Sequence, residues 1–313
     1  MAPATSTSGP PSYDTCPSWL RYRALLKQRF GIDLDTEPEQ SWRSIAGHQV
    51  HLDDWAASGT PVGTVIMVHG AGGNGRILAP FAARVARLGW RVLAPDLPGY
   101  GLTRPAPNFD WDYRHWPAVV AELADACTGP VVLLGASVGG MTAVLAAQAS
   151  SQVAGVVATT LLDMSEPAIF TRAARTPALG RVSLWAFANM PWLVDRVRVP
   201  LRWVAPLQDM SSDGALGQYF RTDPLLGRSR VSLRLFRTMH RTAVDVDPGC
   251  AVLLAHPGAD AWTPTELSAR FLRSLPGQTT MRELSNGSHL PLEQPALTEL
   301  TDEVSAFLQA IVG

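Results

Sequence analysis

Lysine is almost absent from this chain: Lys27 is the only one among 26 basic residues. With 27 acidic residues the formal net charge is −1, so no global field draws the chain to nucleic acid. Cysteine is also scarce. Cys16, Cys127 and Cys250 are odd in number and far apart, which argues against a disulfide framework and offers no zinc spacing. H-E-x-x-H is missing, and no Gly-Lys-Ser/Thr ends a glycine-rich loop; zincin and P-loop chemistry are therefore excluded. The N-terminus MAPATSTSGPPSYDTC has no basic n-region and no apolar h-region, so no signal peptide is expected. No apolar run approaches the ~20 residues of a membrane span. These absences predict a soluble, cytoplasmic protein without a metal, and the arginine- and alanine-rich usage is that of a GC-rich bacterial genome.

What is present is a pattern. Trp19, Tyr22, Leu25, Leu26 and Phe30 recur at helical spacing, which predicts an amphipathic helix docked on the core. Residues 42–45 and 49–55 fit a hairpin around Gly47. From residue 62 apolar strands at 65–68, 91–95, 131–134 and 153–162 alternate with helical segments at 78–88, 116–127 and 141–149. Such a series implies an α/β protein with a mostly parallel, doubly wound sheet and ligands at the carboxyl ends of its strands. The alternation stops after Asp163 and resumes at 250–255 and 279–284, before a closing helix at 298–311. The expected organisation is a disordered tail over 1–17, a core over 18–163 and 246–313, and an inserted, mainly helical cap over 164–245.

The strand at 131–134 runs into Gly135-Ala136-Ser137-Val138-Gly139. A serine on a sharp strand-to-helix turn has its hydroxyl thrust out of the backbone, and the crowded turn demands small neighbours. Ser137 is the candidate nucleophile. A serine hydroxyl needs an adjacent base, and His289 fills that place in Ser285-Asn286-Gly287-Ser288-His289, after the final strand. Asp260, in His256-Pro257-Gly258-Ala259-Asp260, is the preferred orienting acid, because Ser137, Asp260 and His289 follow the chain order of this kind of triad. Asp163 is its rival; otherwise it would cap the helix entering the insert. Acyl transfer also needs donors for a developing oxyanion. The N–H of Val138, just after the nucleophile, is one candidate. Ala71, in the turn His69-Gly70-Ala71-Gly72-Gly73, is the other, with His69 itself structural.

The same turn supports a competing reading. Gly70-Ala71-Gly72-Gly73-Asn74-Gly75 satisfies G-x-G-x-x-G, and Asp96 ends the next strand where a ribose-binding acid would sit. A dinucleotide-dependent oxidoreductase would use both, but it leaves the serine turn without a purpose. A non-catalytic ligand receptor is the third class, and its expected mark is a missing triad member.

With these motifs in place, the chain resembles the α/β-hydrolase superfamily. The stretch VHGAGGNGRILAPFAARVARLGWRVLAPDLPGYGLT, together with LLAHPGADAWTP and SNGSHLPLEQP, is similar to the monoglyceride lipase and proline iminopeptidase branch. The likeness covers residues 60–163 and 248–313 and leaves out most of the insert. It implies a serine hydrolase without a cofactor. A serine at the turn, where epoxide and haloalkane hydrolases of this fold carry aspartate, points away from those reactions.

The insert is rich in Trp, Phe and Met: Trp185, Phe187, Met190, Trp192, Trp203, Met210, Phe220, Phe236 and Met239. Trp185, Trp192 and Trp262 are candidate substrate-binding residues, since binding sites are mainly apolar. Its arginines outnumber its acids by about six charges, which argues against an aminopeptidase that must hold an ammonium group. The expected substrate is a medium-sized, fairly hydrophobic ester. Amides, lactones, thioesters and carbon–carbon bonds remain open to the same machinery.

Overall fold

The computed structural model describes residues 11–313. The described chain begins with helix α1 (Pro17–Phe30) and the hairpin β1 (Glu39–Ile45) and β2 (His48–Trp55). An alternation follows: β3 (Thr64–Val68), α2 (Ala79–Arg87), β4 (Arg91–Pro95), α3 (His115–Asp125), β5 (Val131–Gly135), α4 (Val138–Ala149) and β6 (Val153–Ala158). The insert then supplies α5 (Pro167–Ala173), α6 (Pro177–Asn189), α7 (Pro191–Val194), β7 (Arg198–Pro200), α8 (Gly214–Thr222), β8 (Arg230–Ser232) and α9 (Leu233–Arg241). The alternation resumes with β9 (Ala251–Pro257), α10 (Thr265–Leu272), β10 (Thr279–Leu284) and α11 (Ala296–Val312).

One eight-stranded sheet, in the order β1-β2-β4-β3-β5-β6-β9-β10, forms the centre. From β4 to β10 neighbours pair parallel, while β1 and β2 add an antiparallel edge. β3 (TVIMV) and β5 (VVLLG) are buried at every position, as expected of strands covered by helices on both faces. The chain leaves β3 for β4 on one side and returns to β5 on the other, so the switch of direction falls at β3. Ligand crevices in open α/β sheets form at such a point. Here the register pairs Val68 with Gly135, which brings the turn after β3 level with the turn after β5.

Two departures from the sequence expectation have clear causes. The helix expected from 141 starts at Val138. Gly139 and Gly140 hide its first turn from a propensity reading, yet there a Cβ would run into the carbonyl oxygens of Val68 and Thr160. The second concerns the tail expected over 1–17, part of which is ordered. Its first ten residues lie outside the described residues, and the remainder is anchored by Tyr13. That ring is buried, and its hydroxyl donates to Asp96 Oδ2 at 2.8 Å. Trp19, Tyr22 and Leu26 bury the inner face of α1 behind it. Arg76, in the turn after β3, is held there too. It binds Asp53 through two hydrogen bonds of 2.7 and 2.8 Å and lies between the Tyr13 and Trp19 rings.

Candidate active site

Ser137 sits at φ 58°, ψ −135°, a region that costs an L-residue of order 1–3 kcal/mol and persists only where the surroundings enforce it. They do so from several sides. A Cβ at Gly135 would meet the Gly139 carbonyl, and one at Gly70 would lie 2.8 Å from Ser137 Cβ. The Ser137 N–H donates to Thr159 Oγ1 at 3.3 Å. The serine is thus fixed on the tip of the turn with its hydroxyl outward.

His289 meets that hydroxyl, with Nε2 2.9 Å from Ser137 Oγ. Its other nitrogen, Nδ1, is 2.7 Å from Asp260 Oδ2. Both side chains are 1% exposed. The loops carrying them are tied together at the ends of β9 and β10: Gly258 N–H donates to Leu284 O at 2.8 Å and Ala259 N–H to Gly287 O at 2.9 Å. Asp260 also accepts from the N–H groups of Trp262 (2.8 Å) and Thr263 (3.0 Å) and from the Thr263 hydroxyl (2.6 Å). Burial disfavours the Asp260 carboxylate, but the neighbouring His289 and the hydrogen bonds from His289 and Thr263 outweigh it, and its pKa is lowered to about 2. Asp260 is therefore ionised at neutral pH and holds Nδ1–H, leaving Nε2 free to accept from the serine.

Asp163 is placed elsewhere. Its carboxylate accepts from the backbone and hydroxyl of Ser165 at 2.9 and 2.6 Å, a local turn rather than a cap on α5, whose N-cap is Glu166. Asp163 lines a separate cavity of about 820 Å³ with Glu166, Asp245, Asp247 and Arg270. That larger cavity contains none of Ser137, His289 and Asp260.

Val138 is the first residue of α4, so its N–H is one of the helix's unpaired donors. Among the described residues, neither it nor the Ala71 N–H has a hydrogen-bond acceptor. Ala71, Ser137 and Val138 line the same apolar cavity. The turn bearing Ala71 is braced by His69, as expected of a structural histidine: Nδ1 is 2.8 Å from Gly70 O, and Nε2 accepts from Leu97 N–H at 2.9 Å. Burial lowers the His69 pKa and keeps the ring neutral. Leu201 of the insert covers the turn, leaving no room for a Cβ on Gly72. The Gly70–Gly75 loop does not present a dinucleotide site. Asp96 is fully enclosed and spends its carboxylate on Tyr13, Gly75 N–H and Leu102 N–H, with no edge left for a ribose.

The cavity beside Ser137 measures about 60 Å³ and has no charged residue in its lining. Its roof comes from the insert, with Leu179, Ser183 and Phe187 of α6 and Leu233, Phe236 and Met239 of α9. Of the three tryptophans proposed from the sequence, Trp262 belongs here: it lines the cavity, and its ring packs 4.7 Å from that of His289. Trp185 and Trp192 do not line it. They are 58% and 62% exposed: Trp185 occupies the outer side of α6, and Trp192 lies on α7, which gives the cavity no residue. Sequence reasoning passed over Thr263, whose one signal is its position three residues after Asp260, a spacing at which a side-chain hydroxyl folds back on the carboxylate.

Residues 65–299 match the model of the alpha/beta hydrolase family. A 92-residue segment, 29% of this chain, is 38% identical to pimeloyl-[acyl-carrier protein] methyl ester esterases of Xanthomonas oryzae pv. oryzae and Xanthomonas axonopodis pv. citri. The match spans about a third (34%) of those relatives' length. Among solved structures, a soluble variant of monoglyceride lipase from Saccharomyces cerevisiae is similar with a TM-score of 0.70 and 17% identity, over 90% of this chain and 98% of that one. A monoacylglycerol lipase from Paleococcus ferrophilus gives 0.62 and 20% over 84% and 99%, and an esterase from Thermogutta terrifontis gives 0.62 and 19% over 88% and 100%. At these identities the structural likeness speaks for the fold. With the family model spanning most of the sequence and the same architecture present in the structure, this chain belongs to the alpha/beta hydrolase family.

Proposed function

We propose that the chain is a serine hydrolase of carboxylic esters acting through an acyl-enzyme, with Ser137, His289 and Asp260 as its triad. The observation that carries this reading is the continuous pair of contacts from Ser137 Oγ to His289 Nε2 (2.9 Å) and from His289 Nδ1 to Asp260 Oδ2 (2.7 Å). In the acylation step Ser137 Oγ attacks the ester carbonyl while His289 Nε2 takes its proton. The carbonyl oxygen, now negative, is held by the N–H groups of Ala71 and Val138, an interaction worth ~2.7–4 kcal/mol per donor in the transition state. His289 returns the proton to the departing alcohol. A water molecule, deprotonated by the same nitrogen, then releases the acid and restores Ser137. Every group in this cycle belongs to the protein or to water.

Esters are preferred over the other bonds open to this triad for two reasons. The apolar lining suits a neutral acyl group, and the similar proteins described above are named as esterases and lipases.

The test is hydrolysis of p-nitrophenyl esters from acetate to palmitate, paired with labelling by a fluorophosphonate. Turnover and labelling that both vanish in Ser137→Ala are the expected result. Labelling without ester turnover would keep the nucleophile and move the substrate to amides, lactones, thioesters or carbon–carbon bonds. Absence of both would overturn the reading.

A further inference from the structure

The helix that roofs the cavity has a second face. On α6, Leu179, Ser183 and Phe187 recur every four residues and face the cavity that Ser137 also lines. Arg181 and Trp185 fall on the opposite side of the same helix and Val182 on its flank, and all three are exposed. Only Gly180 and Phe187 of its thirteen residues are buried. The helix is therefore a single layer between the site and the outside.

The outer face continues beyond α6. Nine large apolar side chains are exposed among the described residues, and five of them fall in one short stretch: Val182, Trp185, Trp192, Leu193 and Trp203. Trp192 and Leu193 belong to α7, which packs on the end of α6. Trp203 is brought to the start of α6 by Arg175, whose N–H donates to Val204 O at 2.8 Å and whose guanidinium donates to Arg202 O at 3.1 Å. The same stretch holds Arg172, Arg175, Arg181, Arg196, Arg198 and Arg202, and among the described residues none of the six forms an ion pair. Its one acid, Asp195, is taken by Arg234 and Arg237. Arg196 lies 6.0 Å from the centre of the Trp192 ring.

We infer that this face docks on an anionic lipid bilayer. Tryptophan beside arginine is the pairing that the headgroup layer accommodates best: the ring sits among the glycerol and carbonyl groups while the guanidinium meets phosphate. Stable attachment without a spanning helix needs two signals, an apolar one and a basic one, and both are present here. Three tryptophans stand more than half exposed, and the positive charge around them selects a negative surface. Docked this way, the outer side of α6 lies in the headgroups and its inner side over Ser137. An ester dissolved in the bilayer then meets the enzyme at the roof of its cavity.

The experiment is co-sedimentation of the full chain with vesicles of phosphatidylcholine alone and of an equimolar mixture with phosphatidylglycerol. No substrate is present, so failure here leaves the hydrolase reading standing. Binding to the mixed vesicles, weakened by salt and at least about tenfold poorer on the neutral ones, is expected. The pair Arg181→Gln and Arg196→Gln should weaken it about 30-fold. The pair Trp185→Ser and Trp192→Ser should do so by about tenfold or more, with hydrolysis of a short soluble ester unchanged. Should that pair fold poorly, quenching of the wild-type tryptophans by vesicles with brominated acyl chains reads the same contact without any substitution. No binding to mixed vesicles at low salt, binding that ignores both pairs, or a face that instead joins two copies in light scattering would overturn the inference. So would retention on polyglutamate with no retention on vesicles.

Discussion

Gly70 and Ser137 stand against each other with no space for another atom: a Cβ on Gly70 would lie 2.8 Å from Ser137 Cβ and 3.3 Å from its Oγ. The contact follows from the register of β3 with β5, which levels Val68 with Gly135. Gly70→Ala must therefore push the turn that carries Ala71 away from the nucleophile. An ångström of misplacement is enough to cost about 100-fold in rate. The expected outcome is a kcat lowered by about that factor with KM changed much less, because the α6 and α9 side chains that roof the cavity are untouched. Steady-state kinetics on a soluble ester, with a thermal melt to show that the variant is folded, check it.

Asp260 and Asp163 make a matched pair for identifying the acid. Asp260→Asn replaces an acceptor at His289 Nδ1 with a group that can donate, which favours the tautomer unable to take the serine proton. The expected loss is about 10⁴-fold in kcat. Asp163→Asn disturbs only a turn with Ser165, and activity should stay within about threefold of wild type, with at most about 1 kcal/mol lost in stability. Parallel kinetics and urea melts of the two variants separate the roles, and equal losses would contradict the assignment of Asp260.

How far the site could be read from the sequence depends on where each residue lies. Ser137 and Asp260 follow the buried strands β5 and β9, and buried strands announce themselves as apolar runs; His289 follows the partly exposed edge strand β10 and is legible by its place after the last strand. The tail boundary escaped because one residue, Tyr13, anchors an otherwise polar segment through a partner 83 positions away. The tryptophans of the insert escaped for a related reason. Trp185 and Phe187 are two positions apart on one helix, so they face nearly opposite ways, and composition cannot say which of them looks inward. Only the position of α6 over the nucleophile decides it.

The lowered pKa of Asp260 ties stability to pH. Its carboxyl ionises at about 2 in the folded chain, against 3.8 for an ordinary aspartate. The unfolded chain therefore binds more protons between those values, and stability falls as the pH drops. The contribution is about 2 kcal/mol, complete above about pH 4 and lost as the pH approaches 2. Wild type should thus outlast Asp260→Asn in urea at pH 6, and the gap between their midpoints should shrink steadily below pH 4. A gap that stays constant over that range would show that the carboxylate is not held as described.

Phe187 and Trp185 allow the two faces of α6 to be told apart by substrate length. Phe187 is 6% exposed and lines the cavity of about 60 Å³ beside Ser137, so its ring limits the acyl chain that fits. Phe187→Ala opens that wall at a cost of about 3–5 kcal/mol in stability. Each further methylene that finds apolar contact contributes about 0.8 kcal/mol. The ratio of kcat/KM for octanoate over butyrate should accordingly rise by about tenfold or more, measured with p-nitrophenyl esters in solution. Trp185→Ala alters only the outer face and should leave that ratio within about twofold of wild type. A ratio that moves with Trp185 and not with Phe187 would place the acyl chain on the other side of the helix and take the roof away from Ser137.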